Sequence, residues 1–348
     1  MSTATEELDL AELEELRSAH DQIRQQIARQ IVGQDAVIEQ LLMAVFARGH
    51  CILEGVPGLA KTLMVHSLAQ SLSLEFMRIQ FTPDLMPSDI TGTEVLYEDR
   101  HSGARELRFV RGPIFANLIL ADEINRTPPK TQAALLEAMQ ERQVTAGGRR
   151  HALPDPFFVL ATQNPIEQEG TYPLPEAQLD RFLFKIFITY PTPEEERRIY
   201  RITTGADEPE IMPMLTGDRI AALQRLVRRV PVSDHCIEYA MDLVRATRGR
   251  EHGGPAYIDE WVAWGAGPRA GQSLILAAKA RAALAGRPSV AVDDIRTIAP
   301  PVLRHRLVIN YNAQAAGETS DSIVTRLLKD VPVRKGADDA AVADIFRS

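Results

Sequence analysis

The sequence has few cysteines and no long apolar run, and both shortages restrict the kind of protein that it encodes. Only two cysteines occur among its 348 residues. A fold held by disulfides is therefore excluded, and we expect Cys51 and Cys236 to be buried free thiols in a reducing cytoplasm. No uninterrupted apolar run approaches the roughly 20 residues that a membrane helix needs. The first residues carry acidic side chains where a secretory signal would be basic, so we expect a cytoplasmic protein without membrane insertion.

The chain also lacks an excess of basic residues. It has 39 lysines and arginines against 47 aspartates and glutamates, which gives a formal net charge of -8. Its basic residues come in short pieces such as Arg149-Arg150 rather than in a continuous stripe. This balance disfavours a nucleic acid as the main partner, because binding to a phosphate backbone depends on clustered positive charge.

Hydrophobic residues make up 45% of the chain and charged residues 25%, as in globular proteins with a large core. Strand-like and helix-like segments alternate up to about residue 193, and only helix-like segments follow. This order predicts an α/β domain with a parallel five-stranded sheet, followed by a smaller all-α domain. The expected parts are an N-terminal helix at 1–30, the α/β domain at 31–193 with hairpins near 93–111 and 143–153, a helical domain at 194–310 and a C-terminal tail at 311–348. Within the α/β domain we expect a structured loop at 82–92, a hairpin turn at 100–104 and a helix capped by Thr127.

The segment GVPGLAKT (55–62) lies between the first expected strand and a helix. Backbone N–H groups at such a turn converge on an anion, and the helix dipole adds favourable potential. Lys61 would reach the outer phosphates of a nucleotide, and the Thr62 hydroxyl would hold Mg²⁺. The usual pattern has Gly before the Lys-Thr pair, and we expect Ala60 to be tolerated there if its φ is already helical. The alternative is a glycine-rich turn that precedes an ordinary helix.

A second motif, LILADE (118–123), occurs about sixty residues further along. The apolar strand would place Asp122 beside the phosphate loop as a Mg²⁺ ligand, and Glu123 could deprotonate an attacking water. By itself the motif is also typical of a strand that meets a polar helix start. The two motifs in this order, within a βα alternation, favour a nucleotide-binding site.

Three further polar residues are candidate site residues, and each also has an ordinary structural interpretation. Asn164 ends the fourth strand, where its amide could hold the attacking water or could serve as a turn former before Pro165. Arg181 in LDRF and Arg269 in GAGPRA could act on a nucleotide, or each could form an ordinary surface ion pair.

The order IVGQ, GVPGLAKT, LILADE, ATQNP, LDRF and GAGPRA resembles that of the MoxR family of AAA+ ATPases. The resemblance covers nearly all of residues 8–310 and includes QFTPDLMPSDITG (80–92) and YPLPEAQLDRF (172–182). The family keeps Ala before the Lys, so Ala60 matches it. The resemblance implies a P-loop AAA+ domain with a helical lid, which binds ATP or ADP with Mg²⁺ and hydrolyses ATP in a homo-oligomeric, hexameric ring.

The resemblance also implies a role for each candidate residue. Thr62 and Asp122 would serve Mg²⁺, directly or through water, Glu123 would be the catalytic base and Asn164 the first sensor. Arg269 would be the second sensor, and Arg181 would act as an arginine finger on the neighbouring subunit. The nucleotide contacts would be Ile31, Val32, Gly33, Gly55, Val56, Pro57, Gly58, Leu59, Ala60, Lys61, Thr62 and Leu63. Arg126 and Lys130 could face a neighbouring subunit or could simply lie on a helix surface.

The implied function is remodelling or activation of a separate partner protein, which in related proteins often carries a von Willebrand factor A domain. The two hairpins would face the centre of the ring, where Arg149, Arg150 and His151 could touch a client or could form a solvated turn. Three other functions stay open: a nucleotide-gated scaffold with little turnover, a nucleic-acid motor, and the motor subunit of a metal-chelatase-like complex.

Overall fold

The computed structural model describes residues 10–98, 105–146, 148–166, 170–205 and 209–334. The chain forms two compact units, one from residues 18–223 and the other from the described parts of 1–17 and 224–348. The sequence had placed the boundary near residue 193. The helix that follows Pro193 instead belongs to the same unit as the sheet. Among these residues no helix combines the length and apolarity required to cross a membrane.

Helices cover most of both units. Within the described ranges they are α1 (Leu10–Ile27), α2 (Asp35–Phe46), α3 (Lys61–Ser71), α4 (Pro87–Thr91), α5 (Pro129–Glu141), α6 (Glu176–Leu179), α7 (Pro193–Thr203), α8 (Gly217–Arg229), α9 (Asp234–Ala246), α10 (Ala256–Trp261), α11 (Pro268–Leu284), α12 (Val292–Leu303), α13 (Tyr311–Ala315) and α14 (Ser320–Asp330). Short 3₁₀ turns occur at Ile124–Arg126 and Arg250–His252.

The strands form one larger sheet and three two-stranded ribbons in the part of the chain that the structure describes. They are β1 (Cys51–Glu54), β2 (Phe76–Gln80), β3 (Gly92–Glu98), β4 (Arg105–Arg111), β5 (Leu118–Asp122), β6 (Gln143–Ala146), β7 (Arg149–Ala152), β8 (Phe158–Gln163), β9 (Phe184–Phe187), β10 (Val262–Trp264) and β11 (Val308–Ile309).

The larger sheet has the strand order β2-β5-β8-β1-β9, and every neighbouring pair is parallel. Its inner strands are continuous apolar runs, and all five residues of β5 are buried. This composition is typical of parallel strands that are covered on both faces. The carboxyl ends of β2, β5, β8 and β1 meet at one edge of the sheet. The predicted five-stranded parallel sheet is confirmed, and this edge collects the polar residues that follow its strands.

His50 fixes the start of β1 against its neighbours. Its Nδ1 accepts a hydrogen bond from the Val159 N–H at 3.0 Å, so its Nε2 carries the proton and donates to the Met139 carbonyl at 3.3 Å. Burial lowers the pKa of His50 to about 4, and the ring stays neutral. The strand that leads into the glycine-rich loop is thereby tied to both β8 and α5.

Two local predictions in the sheet unit are wrong. The segment 82–92, expected to be a loop, contains α4, because Pro87 suits a first helical position and Asp89 accepts the Met86 N–H at 2.8 Å. Thr127, expected to cap α5, instead donates its hydroxyl to the Thr82 carbonyl at 3.2 Å. The helix therefore starts at Pro129.

Both predicted hairpins are present as ribbons. Strand β3 pairs with β4, and β6 pairs with β7, each antiparallel. The predicted turn at 100–104 and Gly147 of the second turn lie outside the described residues. Gly148 has a φ of +71°, as a tight turn requires.

The second unit is built mainly from α9, α11, α12 and α14, which pack on one another. It also contains the ribbon of β10 and β11, whose two or three residues per strand are too few to give an alternating sequence pattern. The expected tail from 311 needs correction, because α14 buries Ile323, Val324 and Leu327 completely. Residues 335–348, the rest of that expected tail, lie outside the described ranges.

Asp294 is a fully buried charged residue of the second unit. Its carboxylate accepts hydrogen bonds from Arg281, from Arg287 and from the Ala291 N–H, the last at 2.8 Å. Burial alone would raise the pKa of Asp294, but these donors outweigh it and hold the pKa below its ordinary value. The start of α12 and the end of α11 are thus joined through one carboxylate.

Replacing Asp294 by Asn should lower the free energy of unfolding by about 3 kcal/mol near neutral pH, because both arginines lose a buried charged acceptor. The folded pKa is depressed, so this stabilisation is present above the unfolded pKa of about 4 and is lost as the pH falls through the folded pKa. Thermal melts between about pH 7 and about pH 3 should therefore show a smaller acid-induced loss of stability for Asp294→Asn than for the wild type.

The matched control is Asp293→Asn, one position earlier, whose side chain is 79% exposed although it lies 3.4 Å from Arg281. An exposed pair of this kind contributes little, so we expect a change below about 1 kcal/mol. Equal effects of the two substitutions would contradict the role given to Asp294.

Candidate nucleotide site

The glycine-rich loop connects the end of β1 to the start of α3 and borders a cavity of about 450 Å³. Gly55 is buried, and a Cβ there would approach the Ile188 carbonyl to 3.0 Å. Gly58 has a φ of +86°, which favours glycine. The cavity is lined by Pro57, Gly58, Ala60, Lys61, Thr62, Leu63, Arg78, Asp122, Glu123 and Asn164.

Ala60 corrects one premise of the sequence argument. Its backbone has φ +53° and ψ +27°, which is the left-handed region and not the right-handed helical region that was expected. An L-residue in that conformation is destabilised by roughly 1–2 kcal/mol relative to the right-handed one. The position before Lys61 therefore requires a positive φ, which explains why the usual pattern has Gly there. The loop of this chain is strained at Ala60.

The Lys61 side chain folds back onto the glycine-rich loop that precedes it. Its Nζ donates to the Gly55 carbonyl at 2.7 Å. Burial lowers the pKa of Lys61, and the negative charges of Asp122 and Glu123 oppose this effect. The amine therefore points its charge into a cavity that also contains two carboxylates.

Both carboxylate oxygens of Asp122 have partners in this chain. Its Oδ1 accepts from the Thr162 hydroxyl at 2.5 Å, and its Oδ2 accepts from Arg78 NH2 at 2.6 Å and Arg78 Nε at 3.0 Å. The Thr162 oxygen in turn accepts the Glu123 N–H at 2.8 Å. Thr162 on β8 thus orients both acidic residues at the end of β5.

Glu123 is held by three contacts and has an unusual backbone. Its φ of +57° lies in the left-handed region, which is uncommon for residues other than glycine. Its Oε2 accepts from Gln80 Nε2 at 2.9 Å and from Arg126 NH1 at 3.0 Å. Strained residues of this kind occur often at functional sites, where the surrounding structure enforces the conformation.

Sequence reasoning did not identify Arg78, Gln80 and Thr162 as site residues. Gln80 ends β2, Thr162 is next to the last residue of β8, and Arg78 lies two residues before Gln80; these two strands flank β5. Once a parallel sheet is predicted, polar residues at these ends are a detectable signal. For Arg126, which was left open between a neighbouring subunit and a helix surface, the structure shows a contact with Glu123 of the same chain. Lys130 is exposed on α5.

Asn164 fits both of its sequence interpretations. Its Oδ1 accepts the Ile166 N–H at 3.1 Å, as a turn former would. The side chain is buried and also lines the cavity beside Lys61 and Glu123.

A second cavity of about 290 Å³ adjoins the first, and the two share Pro57, Gly58, Ala60 and Leu63. It is more apolar and contains the predicted Ile31, Val32 and Leu59. The other residues that line it are Gln30, Gln34, Tyr190, Pro191, Glu196, Ile199, Tyr200 and Thr203. Shape and polarity suit a nucleoside base next to its phosphates. The tyrosines and α7 had not been predicted as part of this site.

Three predicted contacts, Gly33, Gly55 and Val56, do not line either cavity in the described part of the chain. Gly33 has a φ of +76°, and a Cβ there would come within 2.3 Å of the Glu195 carboxyl carbon. Its glycine is therefore explained by close approach to α7 rather than by contact with a base. Val56 is half-buried inside the loop.

Of the two predicted arginines, Arg181 lies apart from the acidic pair and Arg269 belongs to the other unit. Arg181 is partly exposed in the turn between α6 and β9, and its NH1 donates to the Leu136 carbonyl of α5 at 3.0 Å. It is absent from the lining of both cavities, as far as the described residues go. Arg269 is exposed at the second position of α11, in the unit that follows residue 223.

The parallel sheet, the loop that encloses Lys61 and the paired acids of β5 define a nucleotide-binding protein of the AAA class. A family model described as "ATPase family associated with various cellular activities (AAA)" matches residues 50–184, and an AAA lid domain model matches residues 256–327. The second match extends past residue 310, in agreement with the folded helix α14.

Similarity to individual proteins is more specific. The chain is 47% identical over 307 residues to Chaperone MoxR1 of Mycobacterium tuberculosis, covering 88% of this chain and 80% of that one. It is 33% identical to Protein MoxR of Methylorubrum extorquens, with 92% and 97% covered. A crystal structure of a protein from Cytophaga hutchinsonii superimposes with a TM-score of 0.86 at 41% identity, covering 93% of this chain and 98% of the other. The chain belongs to the MoxR family of AAA+ ATPases.

Replacing Lys61 by Ala should abolish the stabilisation of the protein by ATP. A ligand that binds only the folded state raises the free energy of unfolding by about 2.7 kcal/mol at a hundredfold excess over its dissociation constant. Thermal melts with and without ATP measure this shift. Lys329→Ala, at an exposed position of α14, is the matched control and should keep the full shift. A normal shift in Lys61→Ala would refute the assignment of the loop.

Proposed function

We propose that this protein hydrolyses ATP with Mg²⁺ in a homo-oligomeric ring and uses the reaction to remodel or activate a separate partner protein. The supporting observation is one cavity that brings together the loop amides, Lys61, Asp122, Glu123 and Asn164. No other described part of the chain offers a comparable combination of phosphate-binding and proton-accepting groups.

The donor set at the cavity fits Mg²⁺. Thr62 supplies a hydroxyl and Asp122 a carboxylate, and Mg²⁺ commonly binds one or two such oxygens together with the phosphates of a nucleotide. When bound, the ion would neutralise charge that develops on the transferred phosphoryl group.

The chain's own residues would carry the remaining steps. The amides of Gly58 to Thr62 and the Lys61 amine would hold the phosphates. Glu123 would accept the proton of the attacking water, and the Asn164 amide would orient that water against the terminal phosphate. In the described conformation Gln80 and Arg126 both donate to Glu123 Oε2, so they hold the carboxylate in place at the cavity.

An arginine from a neighbouring subunit would complete the site. Arg181 does not reach the cavity of its own chain, which supports a role across a subunit interface rather than within one chain. The hydrogen bond of NH1 to the Leu136 carbonyl leaves Nε and NH2 as the groups available for a phosphate. An arginine finger contributes roughly 10³–10⁵ in rate, so isolated subunits should turn over slowly.

The hairpins offer the surface for a client. Leu96 and Leu107 pair across β3 and β4, and their side chains are 62% and 65% exposed. The ring of Phe109 on β4 stacks on His151 of β7 at 4.1 Å between centroids, so the two hairpins contact each other. The name of the relative Chaperone MoxR1 supports a chaperone-like role. A partner with a von Willebrand factor A domain and a location in the cytoplasm remain parts of this proposal.

A second candidate function is a nucleotide-gated scaffold that binds ATP and seldom hydrolyses it. The observation that favours it is the pairing of Glu123 with Arg126, whose NH1 lies 3.0 Å from Glu123 Oε2 and competes with a water for that oxygen. The two functions differ in whether turnover depends on Glu123.

Replacing Glu123 by Gln should lower steady-state phosphate release by a factor of about 10²–10⁴, because the amide cannot accept the proton. Binding of ATP should persist. Phosphate release by the assembled protein is the measurement. The control is Glu141→Gln at the exposed end of α5, which should leave the rate unchanged. Equal rates for the wild type and Glu123→Gln would favour the scaffold.

Mixing Arg181→Ala subunits with Glu123→Gln subunits tests the shared site. Each variant alone should be nearly inactive. In mixed rings some interfaces combine an intact Glu123 with an intact Arg181, so phosphate release should partly recover. Size-exclusion chromatography must show that the subunits assemble together. Persistent inactivity in mixed assemblies would exclude a finger that acts across the interface.

A further inference from the structure

Arg78 donates hydrogen bonds to the carboxylate of Asp122, which the proposed function assigns as a ligand of Mg²⁺. Both Nε and NH2 of Arg78 contact Asp122 Oδ2, at 3.0 and 2.6 Å, while Thr162 occupies Oδ1. In the described conformation the charge of Asp122 is therefore compensated by the chain itself. The Arg78 side chain is 48% exposed and lines the same cavity as Lys61 and Thr62, so it has space to move away.

The same guanidinium also fixes the orientation of Gln80. Arg78 NH2 donates to Gln80 Oε1 at 2.5 Å, and Gln80 Nε2 donates to Glu123 Oε2 at 2.9 Å. An amide has one acceptor end and one donor end, and Arg78 has no acceptor. Contact with Arg78 therefore turns the donor end of Gln80 toward Glu123. A continuous chain of hydrogen bonds runs from the predicted metal ligand to the predicted base.

A divalent cation and Arg78 cannot share Asp122 without strong repulsion. Mg²⁺ binds carboxylate oxygens at about 2.0–2.1 Å, and two positive charges this close to one oxygen repel each other in a partly buried site. Binding of the cation must then displace Arg78, and displacement removes the contact that holds Gln80.

We infer that Arg78 is a positioning residue that holds Asp122 in the absence of a divalent cation, with Gln80 as its anchor, and that a cation must displace Arg78 from Asp122. This inference rests on the proposed function, because it takes Asp122 as the metal ligand.

The test measures Mn²⁺ affinity in the presence of saturating ADP, with the signal of free Mn²⁺ in electron paramagnetic resonance as the readout. Arg78→Gln should bind Mn²⁺ on the order of tenfold more tightly than the wild type, because a charge-assisted contact no longer competes for Asp122. Arg78→Lys keeps a competing charge and should stay within about threefold of the wild type. Arg225→Gln, at an exposed position of α8, is the matched control and should change nothing.

Gln80→Ala tests, in a thermodynamic cycle, whether Gln80 anchors Arg78 at Asp122. Its loss should raise Mn²⁺ affinity by roughly threefold in the wild-type background and not at all in the Arg78→Gln background. Additive effects, or no effect of Gln80→Ala, would overturn the anchoring role of Gln80.

The outcomes separate this inference from the proposed function. If the wild type binds Mn²⁺ with ADP but Arg78→Gln binds it equally or more weakly, only the role of Arg78 is overturned. If the wild type shows no ADP-dependent binding of Mn²⁺, the proposed nucleotide and metal site fails and this inference fails with it.

Discussion

The site is organised around two acidic side chains at the end of a buried strand, because each carboxylate requires hydrogen-bond donors or positive charges around it. Asp122 and Glu123 end β5, the strand whose residues are all buried. An unpaired buried carboxylate would be strongly destabilising. The compensating groups come from strands β2 and β8, from the turn after β5 and from the glycine-rich loop, and they include Arg78, Thr162 and Lys61. The residues of the nucleotide site therefore also compensate the negative charges that the fold places at the end of a buried strand.

Rigid surroundings make the strained positions of the site possible. Ala60 and Glu123 both have left-handed backbones, which are unfavourable for residues with a side chain. Ala60 lies between β1 and α3, and the strand is anchored by the buried His50. Glu123 is held by the Thr162 hydroxyl through its backbone N–H. A flexible loop would relax out of these left-handed conformations. Elements that pack on a parallel sheet cannot relax in this way, so the side chains of the site stay directed at the cavity.

Much of the fold and the centre of the site could be predicted because their signals are local. Apolar runs of four to eight residues, separated by helical periodicity, predicted the five parallel strands. Glycine spacing and the following Lys61-Thr62 predicted the phosphate loop, and acids after an apolar strand predicted Asp122 and Glu123. The errors share one cause. The start of α5, the helix α14 and the ribbon of β10 with β11 depend on contacts with distant residues, and short windows of sequence do not contain them.

The sequence by itself determined the order of the elements, the family and the identity of the acids and of the lysine that share the cavity. Only the tertiary structure decided which residues meet those acids. Arg78 and Gln80 precede the two acids by about forty residues, and they reach Asp122 and Glu123 respectively because β2 and β5 are neighbours in register. The positive φ of Ala60 and the turn of Arg181 toward Leu136 are likewise set by packing. The sequence specifies the type of each side chain, but the order of the strands in the sheet decides which charged side chains contact each other.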